Sequence, residues 1–571
     1  MISCPRPFAL VLVVPLLGAE AAAASVVTFL ASAVVSAYAA DWCGLPIVPL
    51  AVLMVSLAAA GAVFFAFRRA DYAAAALGPE TAADARAAGW IVAAVVVAAY
   101  AWLLWLARPE ILPTGSGPDL VHHLALIEYI QQHWSLVHDA ALGAYLGEMA
   151  DYTPGFHLLT ALAGAWIPAI DGLHAVHPVI ALTVAIKAGI VFLIARRLIR
   201  PIASPNPFAV AAVLALLAPR MYSIGSFTEQ SYLAQVAAEL FAIAAWWMVI
   251  AWDERPSAAP LLLVALFVVA GFLVWPVWSG PVLLVLAAAA AQHTDRPLVE
   301  RVRQTAPAAI GLAVITAMHG SRHFGGFRIA GTGGFVITPT TAVVPWPFLA
   351  AATAGIAASV FQRRTRIVAL LIAAIALQSA ALYHQAQASG AANPYLAIKM
   401  FYLAIYPMAI AVAIVAAHIW RAIVRRVARL RAPGIAWAAA SIVAVPCALP
   451  AIAAQRPRPV VTEPVLRAAV WAGEHASKDC IDYLTQDTYT AYWLHLAVFG
   501  NARASGRATD DETFEPRKAL VRWILPGGLK YAITDDFSAL PRDIRDNVDV
   551  LARFGDAAVV RRRGAAAPPC P

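Results

Sequence analysis

Long apolar runs broken by short polar stretches make up the chain from about residue 8 to residue 452. A membrane-crossing helix needs about 20 apolar residues, with roughly 17 to 25 tolerated. Such runs predict helices near 8–38, 46–67, 89–107, 175–195, 206–220, 230–251, 258–275, 276–292, 305–319, 343–361, 367–386, 396–420 and 433–452. Within them Ala, Val and Leu follow one another, without the apolar–polar alternation of a membrane barrel. Several hold Pro or Gly, which membrane helices tolerate better than soluble ones. The first run imitates a signal peptide, with Arg6, an apolar stretch and "GAEAAAA". Its apolar character continues to Tyr38, which favours an uncleaved first anchor.

Beyond residue 452 the pattern changes. "PVLRAAVWAGEHA" has helical spacing and "CIDYLT" reads as a strand. "AYWLHLAVFG" is again helical, "LKYAITD" a strand, "RDIRDNVDVLARFG" a helix and "AAVVRR" a last strand. Alternating helix and strand favours a small, largely parallel sheet. Neither GxGxxG nor a Walker motif occurs in this part, so no nucleotide site is indicated.

Composition turns this pattern into a class. The chain is 61% hydrophobic and 13% charged, with a mean hydropathy of +0.72. A soluble fold of this length has too little interior for so much apolar surface, so the class is polytopic α-helical membrane protein. From Gln455 onward 16 Lys and Arg face 15 Asp and Glu, against 25 and 18 in the rest, so nearly all of the +8 net charge lies in the membrane part. That distribution is a topology signal and not a nucleic-acid footprint, and no nucleic-acid partner is expected.

Arginines cluster between the apolar runs, at Arg68, Arg69 and Arg86; Arg196, Arg197 and Arg200; Arg296, Arg301 and Arg303; Arg363, Arg364 and Arg366; and from Arg421 to Arg431. Placing all of these in the cytoplasm closes the alternation at about 13 crossings, with the N-terminus inside and the C-terminal domain outside. It closes only if "FHLLTALAGAWIPAI" (156–170) stays at the outer interface or re-enters. Residues 108–174, 221–229, 320–342, 387–395 and 453–571 then share the outer face. The five cysteines lack metal-ligand spacing. Cys480 and Cys570 could pair if the C-terminal domain lies in an oxidising compartment.

The outer face collects proton-active side chains. In "PDLVHHLALIEYIQQHW" (118–134) Asp119, His122 and His123 lie on one helical face, at i, i+3 and i+4. Such a group suits a general base for a hydroxyl or part of a divalent-metal site. The plainer reading of Asp119 is an acid in the first turn of a helix opened by Pro118. In "GEMADYTPGFHLLTAL" Tyr152, Pro154 and Gly155 make a turn, preceded by Asp151, and His157 opens the following helix. Lys399 lies inside an apolar helix near its outer end; intramembrane charge is functional by default, and the alternative is snorkelling to the headgroups.

The long first outer loop carrying an acid ("GPDLVHH"), then a Tyr-x-Pro-Gly-x-His turn and a short interfacial helix, resembles the type C (GT-C fold) glycosyltransferases. The likeness runs from about residue 89 to 420. It implies a polytopic enzyme that takes a sugar from a polyprenyl-phosphate carrier at the outer leaflet of the inner (plasma) membrane. The acceptor would be an envelope glycan, lipid or protein. The resemblance makes Asp119 the catalytic base and places the outer-loop acid Glu229 near the active site. It assigns Lys399 to the lipid-linked phosphate, with Arg328 and its neighbours Arg322 and His323 as further phosphate candidates. His122, His123, Asp151 and His157 complete the substrate-binding set.

Where the family often pairs acids, this chain has histidines three and four residues later. Metal dependence is therefore open, with Asp119, His123 and Glu229 as the candidate ligands of a divalent cation such as Mg or Mn. The division implied is 1–88 as N-terminal transmembrane helices, 89–452 as the GT-C-like catalytic region with outer loop 108–174, and 453–571 as the extracytoplasmic α/β domain. One base and one displacement predict inversion at the anomeric carbon. The rival class is a multi-pass transporter or flippase of lipid-linked glycans. Transporters place charge near the midplane and often carry inverted repeats; no repeat is visible here.

Overall fold

Every apolar segment forms a helix. The structure is a computed structural model that describes residues 18–69, 82–108, 110–115, 117–139, 146–167, 171–295, 297–323, 334–427, 433–452, 461–501, 514–525 and 528–563. In chain order the membrane part contains α1 (Ala19–Trp42), α2 (Pro49–Arg69), α3 (Ala82–Ala107), α4 (Pro118–His133), α5 (Gly155–Trp166), α6 (Gly172–Ile199), α7 (Pro205–Ala215), α8 (Leu233–Glu254), α9 (Ala258–Val274), α10 (Ser279–Gln292), α11 (Leu298–Arg322), α12 (Trp346–Val360), α13 (Arg366–Ala388), α14 (Tyr395–Arg426) and α15 (Pro433–Ile452). All but α4 and α5 match the segments read from hydropathy. The predicted start of the first, at residue 8, lies outside the described residues. Among the described residues seven helices (α1, α2, α3, α6, α8, α13 and α14) are long and apolar enough to cross a membrane by length and composition. The chain is a multi-pass membrane protein.

Helix α8 is the centre of the bundle. Apart from Gln235, Glu239 and the two acids at its end its side chains are apolar, Trp246, Trp247 and Trp252 among them, and a helix with so little polar face to offer solvent is buried. It packs against α6, α9 and α10. Helix α5 has 12 residues and spans about 18 Å, short of the roughly 30 Å hydrocarbon core, so it does not cross. It lies instead against α4, α6 and α1.

Glycine sets two close approaches here. A Cβ on Gly155 would sit 2.6 Å from Val274 Cγ2 and 2.8 Å from the Leu273 carbonyl, so only glycine lets the turn before α5 seat on the end of α9. Gly115 (φ +115°) brings the chain leading into α4 against Ser231, whose Oγ would clash with any Cβ placed there.

The C-terminal part holds α16 (Glu463–His475), β1 (Ile481–Tyr483), α17 (Thr488–Trp493) continuing through a π turn to Val498, α18 (Pro516–Ile524), β2 (Tyr531–Thr534), α19 (Arg542–Asp546), β3 (Val548–Phe554) and β4 (Ala557–Arg562). Strand order is β1-β2-β4-β3. Only β1 and β2 run parallel; β2–β4 and β3–β4 are antiparallel. The sheet is therefore mixed, not largely parallel, and "RDIRDNVDVLARFG" is one short helix followed by a strand. The deciding feature is Gly555-Asp556, a two-residue loop with Gly555 at φ +62° between the paired residues Phe554 and Ala557. Strand alternation sends Ile533, Ala557 and Val559 to the core shared with the membrane helices. Ala532, Ala558 and Val560 face a separate core with Trp523 and Ile544.

Candidate active site

Lys399 sits in the first turns of α14, almost fully buried, with three rings around its ammonium. Nζ lies 3.7 Å from the ring centre of Tyr232, 4.4 Å from Tyr395 and 5.2 Å from Trp275. Such faces attract a cation through the ring quadrupole, more strongly where water is excluded. Among the described residues no carboxylate or hydrogen-bond acceptor pairs with Lys399. The charges that act on it come from Asp119 and Glu239. Asp119 stands exposed in the first turn of α4, and its charge also acts on Tyr232 and Tyr395. Asp119, 280 positions from Lys399 in the chain, thus stands near enough for its charge to act on Lys399, Tyr232 and Tyr395.

The described end of the Gly-rich loop is pinned above this site. Tyr232 donates to the Phe335 carbonyl (2.7 Å) and Tyr222 to that of Ile337 (2.7 Å). Asn393 exchanges two hydrogen bonds with Gly334 (3.0 and 3.3 Å).

The Tyr152–His157 turn forms the adjoining wall. Tyr152 packs on Trp275 (5.9 Å) and edge-on to His123 (5.7 Å), and Thr153 donates to the Val274 carbonyl at 3.1 Å. His123 Nδ1 and His157 Nε2 are 2.8 Å apart in a hydrogen-bonded pair. Burial, and then the neighbouring His123, hold His157 well below the usual imidazole value. A folded state that keeps His157 neutral binds fewer protons than the unfolded chain below pH of about 6.5. This contribution to stability is complete above that pH and is lost as pH falls. Thermal denaturation in detergent should show a loss approaching about 1.4 kcal/mol per pH unit below 6.5, flattened in His157→Gln.

The other expected residues lie elsewhere. His122 faces the C-terminal domain, its Nε2 2.9 Å from the Tyr492 hydroxyl, so it docks that domain onto α4. Asp151 turns to His323 (3.7 Å), which stacks on His319. Arg322 lies over the Trp42 ring at 3.8 Å. Glu229 is ion-paired with Arg220. Arg328 lies outside the described residues. The set Asp119, His123 and Glu229 does not gather. His123 is engaged by His157 and Glu229 by Arg220, and among the described residues no three His, Cys, Asp or Glu group to hold a metal ion.

One feature escaped the sequence reading. Lys187 of α6 and Glu239 of α8 form a fully buried ion pair (2.5 Å), and Tyr406 of α14 donates to the same Glu239 oxygen at 2.6 Å. Tyr232 and Glu239 are seven residues apart on one helix path, as are Lys399 and Tyr406. The pair therefore lies two turns, about 10 Å, beneath the caged lysine. The available signal was two opposite charges inside apolar spans.

The helical bundle is that of a polytopic membrane protein of the GT-C fold, with a small C-terminal α/β part. Among solved structures the chain is similar to ArnT from Cupriavidus metallidurans bound to undecaprenyl phosphate, with a TM-score of 0.50 and 14% identity over 85% of this chain and 100% of that one. The apo state of the same protein gives a TM-score of 0.48 at 14% identity, over 83% and 98% of the two chains. No family model and no curated protein matches the sequence.

Proposed function

We propose that the protein is a membrane glycosyltransferase that moves a sugar from a polyprenyl-phosphate donor to an envelope glycan, lipid or protein. The observation that carries this reading is an exposed carboxylate, Asp119, whose charge acts on a buried cation, Lys399, that has no carboxylate partner among the described residues. The ArnT structure it resembles holds a polyprenyl phosphate, which brings that ligand class to this chain. Asp119 takes the proton of the acceptor hydroxyl as its oxygen attacks the anomeric carbon. The bond from that carbon to the phosphate oxygen breaks, through a state with oxocarbenium character. Lys399 takes up the charge left on the polyprenyl phosphate, and that leaving group needs no proton. A single displacement inverts the anomeric centre.

The outer-face assignment draws on the arginine-rich loops at the opposite ends of the helices and on Cys480. Cys480 is disulfide-bonded, and disulfides persist in oxidising compartments. The buried Lys187–Glu239 pair is the kind of intramembrane charge a transporter uses, but it is closed on itself by Tyr406.

The test is Lys399→Gln in an in vitro assay with a polyprenyl-phosphate sugar. Loss of a charge-assisted contact worth about 1.5–3 kcal/mol raises the donor KM by about 10- to 150-fold. Undiminished donor use removes Lys399 from the site. Movement of intact donor across the bilayer without cleavage supports the flippase instead.

A further inference from the structure

A second concavity lies toward the opposite end of the bundle. A crevice of about 330 Å³ opens between α7, α12, α14 and α15, and its lining is almost wholly apolar. That volume falls in the range of small-molecule sites, about 300–1,000 Å³. On α14 the crevice is lined by Val412, Ala416, Ile419 and Ile423, a stripe at i, i+4, i+7 and i+11. Phe208 of α7 and Ala439 of α15 form the facing walls. Most lipid-facing helix surface is convex; here four helices leave a concavity with apolar sides.

The residues just beyond the stripe indicate the occupant. The next position in the same spacing, i+14, is Arg426, and Arg421 and Arg425 stand exposed beside it. Among the described residues none of the three has a carboxylate partner. Gln362 and His418, hydrogen-bonded at 2.9 Å, join the α12–α13 connection to α14 at this level. An apolar slot ending at exposed guanidinium groups near the membrane edge matches a lipid with hydrocarbon chains and an anionic head. Basic pockets between helix ends recognise such headgroups. We infer that this crevice binds an anionic diacyl phospholipid, with an acyl chain along the α14 stripe and its phosphate at Arg421, Arg425 and Arg426.

This lipid is distinct from any donor. Arg426 lies 27 residues beyond Lys399 on one helix, about 40 Å along its axis, so the two cations address opposite faces of the bilayer. The inference does not depend on sugar transfer.

The test is native mass spectrometry of the full chain, released from nanodiscs of phosphatidylethanolamine and phosphatidylglycerol with polyprenyl phosphate added. Phosphatidylglycerol should be retained preferentially. Arg425→Gln with Arg426→Gln should lower that preference by about fivefold for each arginine removed. Ala439→Phe, which fills the slot, should abolish retention there. The arginine variant alters only an exposed helix end, so it decides the question even if Ala439→Phe misfolds. Equal retention of both phospholipids, or anionic retention unchanged in the arginine variant, overturns the inference. So does preferential retention of polyprenyl phosphate, or a dimer that Ala439→Phe dissolves, which would give the crevice to a second copy of this chain.

Discussion

Asp119→Asn should lower the turnover of sugar transfer by about 10²- to 10⁴-fold, the range a positioned general base supplies, while donor binding is kept. The substitution preserves shape and the helix start provided by Gly117 and Pro118. It removes only the proton acceptor and one of the two negative charges that act on Lys399. Removing an anion beside a lysine meant for a phosphate does not weaken phosphate binding, so the donor KM should hold or fall. A loss of kcat with KM unchanged or lower separates a base from a binding group. The measurement is steady-state transfer with a polyprenyl-phosphate sugar, alongside mass-spectrometric profiling of envelope glycolipids and glycoproteins in cells. Parental turnover at parental protein levels would show that another residue is the base.

Glu239→Gln should destabilise the bundle by about 3–5 kcal/mol, because it strands the Lys187 ammonium in the apolar interior. Lys187 has no route to water: it is buried between α6 and α8, and its other hydrogen bond among the described residues is to the Val236 carbonyl at 3.3 Å. Lys187→Met should cost a similar amount by stranding the carboxylate. The double variant Lys187→Met with Glu239→Leu removes both charges and should recover most of the loss, since buried pairs replaced by apolar groups are often neutral or better. Tyr406 then lacks its acceptor, which leaves a residual cost of about 1 kcal/mol. Thermal unfolding in detergent over the four proteins gives the coupling energy directly. A single variant as stable as the parent would mean that the pair is hydrated and not stapling three helices. Transfer by the double variant then tells whether the pair also serves the site.

The legible and illegible parts of this molecule divide along physical lines. Each apolar segment could be read alone because a membrane helix satisfies its own backbone hydrogen bonds. Length and hydropathy are then local properties, and each of the thirteen segments has its helix. The helix starts between residues 108 and 174 were legible for the same reason: Pro118 and Gly155 mark them by their own backbone preferences. The strand at 548–554 reads as helix from sequence because the arginines and aspartates of the whole stretch 542–553 also fit a helical spacing, and the Gly555-Asp556 turn that settles it spans only two residues.

Partners across the fold were not legible. Nothing local says that Tyr232, Trp275 and Tyr395 meet around Lys399, that His123 meets His157, or that His122 reaches Tyr492 in another part of the chain. His122 and His123 are neighbours in sequence, yet one joins two parts of the molecule and the other lines the candidate site. Lys187 and Glu239 passed as ordinary positions within apolar spans, since each span tolerates one charge without ceasing to look like a span.

The sequence by itself determined the class, the number and order of apolar helices, and the acid and the lysine on which the proposed chemistry rests. Tertiary structure brought the charge of Asp119 to bear on Lys399 and gave Glu229 to Arg220 and His123 to His157. It also set the C-terminal domain down on α4. The physical reason is that helix formation is a property of a segment, whereas a cage, an ion pair or a crevice is a property of faces. In helices apolar on nearly every side, the sequence does not say which face turns inward.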